Sequence, residues 1–237
     1  MTFSLLESLM ESRDAEGLGG RWFGVYPAVV TDISDPESMG RVKVMLPWAP
    51  DTANERYDAW ARIATLMAGN KRGTWFIPDT GDEVLVAFEA GDPRRPYVIG
   101  ALWNGNDAPP ESMDGGGKNF KKVIKSRNGV TITLDDKDGR ESLVAETPGG
   151  QKLTMQDGPG TIELADSNGN SIKMEPSGIT ITTSASLTIN ASTVTVNTSS
   201  MTVTGPTTLS ATLTVGASIT TPSITSASYT PGAGNIW

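Results

Sequence analysis

The stretch SGITITTSASLTINASTVTVNTSSMTVTG, residues 177–205, carries no charge, and neither does any other residue after Glu175. Close to half of residues 176–237 are Ser or Thr, and apolar pairs recur among them: Ile179/Ile181, Leu187/Ile189, Val194/Val196, Met201/Val203 and Leu213/Val215. Each pair is spaced i, i+2, which puts both side chains on one face of a strand. The pairs return every seven or eight residues, so the unit is one short strand and one corner. A strand that short cannot shield its apolar face alone, whereas stacked copies can. The tail therefore reads as a fibre-like β stack.

Towards the N-terminus the same pairing continues with charged corners. Ile132/Leu134, Leu153/Met155, Ile162/Leu164 and Ile172/Met174 alternate with the turn signals Asn128-Gly129, Asp138-Gly139, Asp157-Gly158 and Asn168-Gly169. The stack is expected to taper, with wider charged coils first and narrower Ser/Thr-covered ones after. Before it, Asn104–Lys118 is rich in Gly, Pro and Asp and reads as a linker. Residues 21–103 hold five strand-like stretches, Trp22–Ile33, Arg41–Leu46, Trp60–Thr65, Glu83–Phe88 and Pro96–Leu102. Five short strands in about 80 residues suit a small closed barrel of the OB type. Residues 2–14 read as a short amphipathic helix with a Ser4–Glu7 capping box and an apolar stripe of Phe3, Leu6 and Met10. That stripe suits packing on its own domain or docking onto a partner subunit. The expected organisation is thus helix and linker (1–20), OB-type domain (21–103), linker (104–119), β needle (120–228) and tip (229–237), an all-β chain apart from the first segment.

Composition narrows the chemistry. The chain has no Cys and no His, which excludes disulfides, thiolate metal sites and the usual His-dependent nucleophile systems. No metal and no cofactor is expected, and no enzymatic activity. The net charge of −8 lies wholly in residues 1–115, which hold 10 basic and 18 acidic residues; nucleic acid is a poor partner for such a surface. No apolar run approaches the roughly 20 residues of a membrane-spanning helix. The N-terminus does not read as a secretion signal, since Glu7 and Glu11 interrupt it, so synthesis in the cytoplasm is expected.

Several motifs resemble one family in the right order. They are Gly40-Arg41-Val42-Lys43-Val44-Met45-Leu46-Pro47-Trp48, Trp60-Ala61-Arg62-Ile63-Ala64 and Asn70-Lys71-Arg72-Gly73-Thr74-Trp75-Phe76-Ile77-Pro78, followed by Gly81-Asp82-Glu83-Val84-Leu85-Val86-Ala87-Phe88, Gly91-Asp92-Pro93-Arg94-Arg95-Pro96-Tyr97-Val98-Ile99-Gly100 and Trp103-Asn104-Gly105. Residues 20–110 are similar to the baseplate central-spike family of contractile injection machines, which includes the baseplate assembly protein V of phage tails and the VgrG proteins. The resemblance implies a homotrimer whose C-terminal halves wind into an intertwined three-stranded β-helix. It also implies a separate hub protein of the baseplate, since no hub domain is fused here, and a PAAR-type tip protein as a further partner. The target-cell envelope is what such a needle meets, and a virion tail baseplate or injection particle is where it is assembled. Some family tips hold iron through histidines, which this chain lacks.

In that reading Ile132, Leu134, Leu153, Ile162, Leu164, Ile172, Ile179, Ile181, Leu187, Ile189, Val194, Val196, Met201 and Val203 point at a shared three-fold axis. Phe3, Leu6, Met10, Arg41, Arg94 and Arg95 are candidates for partner contacts, although Gly40-Arg41 and the 92–95 loop also read as plain turn chemistry. Tyr229, Ile236 and Trp237 form the tip, as a plug or as a docking patch. Asp135–Gly139 and Asp166–Asn170 superficially resemble calcium loops but lack the closing Glu and read as solvated corners. The basic cluster Lys118, Lys121, Lys122, Lys125 and Arg127 is expected to face the acidic barrel across the linker or to solvate the neck. Two functions follow. One is a mechanically loaded spike that pierces an envelope when a sheath contracts. The other is an OB-type binding module on a single-chain β-solenoid acting on carbohydrate, against which the chargeless tail argues, since it offers no acid or base.

With neither His nor Cys, no side chain has an unperturbed pKa near neutrality. The oligomer should therefore be insensitive to pH between about 6 and 8. Light scattering across that window checks this; a steep loss of mass inside it would mean that a strongly shifted carboxylate controls assembly.

Overall fold

In a computed structural model of the protein, residues 21–49 and 57–227 are described. The helix expected over 2–14 lies outside them. The chain divides into two compact units, one up to Ser186 and one from Leu187.

The first unit begins with a closed barrel of β1 (Val25–Asp32), β2 (Val42–Met45), β3 (Asp58–Ile63), β6 (Glu83–Phe88) and β7 (Pro96–Ala101); a small hairpin, β4 (Ala68–Gly69) and β5 (Arg72–Gly73), is inserted between β3 and β6. The strand order is β1-β2-β3-β7-β6, and β6 closes back onto β1. All pairs are antiparallel except β3 with β7, the arrangement of an OB-type barrel. Alternation explains the strands: Ala28/Val30, Val42/Val44/Leu46 and Val84/Val86/Phe88 put every second side chain inside, where all are buried. Register shifts at Val30/Asp32 and Leu85/Val86 supply the extra bend that closure of so few strands requires. Five rings extend this core, with Trp22 packed 5.1 Å from Phe88, 5.3 Å from Tyr57 and 5.5 Å from Trp48, and Tyr26 stacked 4.9 Å from Trp48.

After the linker the chain runs as a seven-stranded antiparallel meander in strict sequence order. Its strands are β8 (Lys121–Lys125), β9 (Thr131–Asp135), β10 (Ser142–Glu146), β11 (Lys152–Gln156), β12 (Thr161–Ala165), β13 (Ser171–Glu175) and β14 (Gly178–Thr182). Every ladder in it closes within one chain. The four Asx-Gly turn signals all fall between strands, as the sequence indicates. Strand length stays at five residues throughout, and the turns differ between the two edges. Those on one edge keep five residues (126–130, 147–151, 166–170), while those on the other shorten from six (136–141) to four (157–160) to two (176–177).

The second unit carries no strand among its described residues. The needle expected over 120–228 thus has two parts: a meander paired within one chain, and a Ser/Thr-rich run with no ladder of its own.

The narrowing edge is tightly stacked. A Cβ at Gly158, whose φ is +84°, would lie 2.5 Å from the Gly139 carbonyl oxygen, whereas one at Gly139 (φ +67°) would meet open space. Both substitutions to Ala incur the left-handed backbone penalty of about 1–2 kcal/mol, but only Gly158→Ala adds a backbone clash. Thermal unfolding should rank Gly158→Ala as clearly the more damaging.

Candidate functional site

Strand register builds one surface out of many separate repeats. Cross-strand partners align Ile124, Ile132, Ala145, Leu153, Leu164, Ile172 and Ile181 in one column across all seven strands. A second column on the same face runs Leu134, Leu143, Met155, Ile162, Met174 and Ile179. The opposite face is polar, with Lys121 opposite Asp135, Glu146 opposite Lys152 and Glu163 opposite Lys173, pairings that favour that face in water. In a half-buried sheet the apolar face is the covered one. Here it is largely open: of the thirteen column side chains only Leu143 and Ala145, in β10, are half-buried, and the others run from 37% exposed at Leu153 to 70% at Ile179.

Among the described residues nothing after Val98 is buried. In the second unit Leu187, Ile189, Val194, Val196, Met201 and Val203 are 57–68% exposed. The register thus brings eight of the fourteen expected axis residues onto one face, from Ile132 to Ile181, and leaves the other six uncovered in a run without a ladder. Sequence reading missed Leu143 and Ile124 as members of that face. Leu143 is hidden in the unbroken apolar run Leu143-Val144-Ala145, and Ile124 in a lysine-rich segment.

The neck between barrel and meander is held by charge. Arg127 Nη1, in the β8–β9 turn, lies 2.9 Å from Asp79 Oδ1 of the barrel. Lys121 Nζ lies 2.8 Å from Glu111 of the linker and Lys122 Nζ 3.0 Å from Asp136. One member of the basic cluster thus reaches the acidic barrel, and two others bind acids nearer in the chain.

Arg41 is committed within its own chain. Asp35 accepts from Arg41 Nε at 3.1 Å and Nη2 at 2.7 Å, and from the backbone amides of Glu37, Met39 and Arg41; the guanidinium also lies over the Trp60 ring. The Arg41 hydrogen bond, then the amides, hold the Asp35 carboxyl well below the usual carboxylate range. The exposed loop at 89–95 is organised in the same way. Arg94 donates to both oxygens of Asp92, at 3.0 and 2.9 Å, and holds its pKa down at about 2; Arg95 pairs with Glu89 at 3.3 Å. Tyr57 donates its hydroxyl to the Pro93 carbonyl, and burial pushes that phenol up. Asp166 caps its own corner by accepting from the Asn168 and Asn170 amides and the Asn170 side chain, which hold it at about 2. Phe3, Leu6, Met10, Tyr229, Ile236 and Trp237 lie outside the described residues. Among the described residues no helix is long and apolar enough to cross a membrane.

A five-stranded OB-type barrel followed by an antiparallel sheet with one apolar face left open defines a class of protein whose second part presents a surface for association. Residues 26–103 match the family described as the type VI secretion system/phage-baseplate injector OB domain, and residues 142–202 match the phage baseplate V C-terminal trimerisation domain. Among curated relatives, the type VI secretion system spike protein VgrG1b of Pseudomonas aeruginosa is 31% identical over 127 residues, 51% of this chain and 17% of the relative. VgrG1a of the same organism is 33% identical over 114 residues, 45% of this chain and 18% of the relative. VgrG3 of Vibrio cholerae is 36% identical over 78 residues, 32% of this chain and 8% of the relative. The matched region spans less than a fifth of the length of these relatives. The chain belongs to the baseplate V and VgrG-like central-spike family.

The Asp35–Arg41 loop generates an acid prediction. Because the folded-state pKa of Asp35 lies below its unfolded value, its contribution to stability is complete above about pH 4 and is lost as pH falls towards the folded value. Asp92 and Asp166 act in the same direction between about pH 4 and 2. Melting temperature should therefore be flat near neutrality and fall below about pH 4. Asp35→Asn should lower it at pH 7 and flatten that acid limb.

Proposed function

We propose that the protein is a structural central spike, a homotrimer under a baseplate hub, driven into a target envelope when a sheath contracts. The observation that carries this is the absence of any buried residue after Val98 among those described, in a stretch patterned for burial. Three copies turning their two-column faces to a common axis cover what one chain leaves open. The shortening turns on one edge then narrow the walls towards the C-terminus, and the unladdered Ser/Thr run beyond Thr182 takes its strand partners from the other copies. Burying one Ile or Leu gives about 1.5–3 kcal/mol, and each position is used three times per trimer.

Such a spike asks for stiffness and no chemistry of its own. A meander with every strand paired, whose one uncharged edge is continued by the C-terminal run, suits compressive load. Ser and Thr on the outside carry no charge to be stripped of water on crossing lipid. Arg94 and Arg95, displayed on the 89–95 loop, are proposed contacts with a separate hub protein. A tip protein on the final residues completes the assembly, which is built in the cytoplasm into a tail or injection particle. The single-chain solenoid acting on carbohydrate is disfavoured, because such a coil buries its apolar residues within itself.

Ile189→Asp would gather three like charges in an apolar axis with no counter-ion, and should abolish the trimer or fray all that follows it. Thr188→Asp, one residue away and outward by alternation, should leave it standing. Light scattering on both decides: equal mass for the two variants, or a monomeric parent, removes the intertwined reading.

A further inference from the structure

The outer wall of the barrel has two characters. On β2 and β3 it is polar: Lys43 lies 3.4 Å from Asp58, and the Arg41 guanidinium lies over the Trp60 ring. On β1, β6 and β7 it is apolar. Ala28/Val30 and Val84/Val86/Phe88 take the inward positions, so Val25, Pro27 and Val29 of β1 and Leu85 and Ala87 of β6 point outward. Register sets Val25 beside Ala87 and Pro27 beside Leu85, and Ile99 borders them on β7. Leu85 and Ala87 are half-buried, while Val25 and Ile99 are 53% and 45% exposed. Tyr97, with the Arg62 guanidinium over its ring, closes this face towards β3. Residues 25–30 and 84–88 are apolar on both sides of their strands, a pattern that belongs to sheets covered on both faces.

The chain's own N-terminal segment leads up to that face. The Trp22 amide donates to the Gly91 carbonyl at 2.7 Å, and Arg21 Nη1 donates to the Ala90 carbonyl at 2.9 Å. Arg21 is thereby held where β1 begins, β6 ends and β7 begins, the end at which Val25 meets Ala87. Residues 1–20, which precede it, carry the apolar stripe Phe3, Leu6 and Met10, with Leu5 and Leu9 beside it. The helix that the sequence predicts over 2–14 is about 20 Å long, against roughly 14 Å of β1 from Val25 to Val29. Residues 15–20, with Gly at 17, 19 and 20, reach up to about 20 Å, enough to return the helix over the strands. A helix of that length is marginal in water by itself and gains from an apolar surface within reach.

We propose that residues 2–14 dock as a helix on the outer face of β1, β6 and β7 of their own barrel, with Phe3, Leu6 and Met10 turned onto Val25, Pro27, Leu85 and Ile99. This contact is made within one chain, alone or in a trimer, and does not rest on the trimeric reading. The chain has no Cys, so Ile99→Cys and, as an exposed reference in the linker, Ser112→Cys each introduce a single thiol. Maleimide labelling is run on full-length chains with the stripe intact and with Leu6→Asp and Met10→Asp together, beside light scattering. The expected result is an Ile99→Cys thiol that reacts about tenfold or more faster once the stripe is broken, as release of a protecting contact requires, while the Ser112→Cys rate stays the same. Equal Ile99→Cys rates overturn the docking whatever the mass. A monomeric parent whose rates differ removes the trimer and leaves the docking standing. For the second measurement, isotope-labelled and unlabelled chains carrying both Met10→Cys and Ile99→Cys are refolded together and bridged with a short flexible bis-maleimide. Bridges confined to one label support docking on the same chain. Mixed-label bridges, which put the segment on a neighbouring copy, overturn it, and so does the lack of any bridge.

Discussion

Burial of apolar surface is the constraint around which the C-terminal part of the chain is organised, and one copy cannot satisfy it. The barrel does so alone: Val30, Val42, Val44, Leu46, Val84 and Val86 are almost wholly enclosed. Beyond Val98 the alternation is just as regular but leads to a surface. A meander of five-residue strands has only two faces, and its turns are too short to carry a covering layer. With thirteen apolar or small side chains aligned in two columns, the sheet is one wall of an enclosure that more than one copy must complete. Between the two edge strands, from β9 to β13, backbone hydrogen bonding is met within the chain, so over that length association is a matter of side chains alone.

The two styles of needle follow from the same constraint. From β8 to β14 each strand finds its neighbour in its own chain, and Asx-Gly pairs sit in four of the six turns that set the register. Where the corners become Ser and Thr, no self-paired ladder forms among the described residues. From Leu187 to Val203 the corners (190–193 and 197–200) hold no glycine of the kind a tight hairpin uses, and no strand forms there within the chain.

Much of this was legible in the residues. The five barrel strands were readable because a β-branched residue at every second position suits a strand with one buried face and suits a helix poorly. The meander turns were readable because Asn-Gly and Asp-Gly reverse a chain with little strain. The common face was legible for Ile132, Leu134, Leu153, Ile162, Leu164, Ile172, Ile179 and Ile181, since period two alone assigns it. Other features were not. β8 reads Lys-Lys-Val-Ile-Lys and presents itself as a basic cluster. β4 and β5 are two residues each, too short for any alternation. Arg41 looks available in sequence, but its donors are engaged by Asp35, a loop geometry that spacing does not encode. The Arg127–Asp79 contact joins residues 48 positions apart and depends on the linker's path.

The edges of the meander give it a direction. β8, at one end, carries Lys121, Lys122 and Lys125, charges that discourage another strand from adding there. β14, at the other, reads Gly-Ile-Thr-Ile-Thr, with no charge and a row of backbone groups open to pairing. An unguarded edge on a soluble protein is an aggregation hazard unless a specific partner follows. Here the chain itself continues from that edge into repeats of the same composition. Extension is therefore permitted at the β14 end only, and the loss of charge after Glu175 marks where pairing within a chain stops being sufficient.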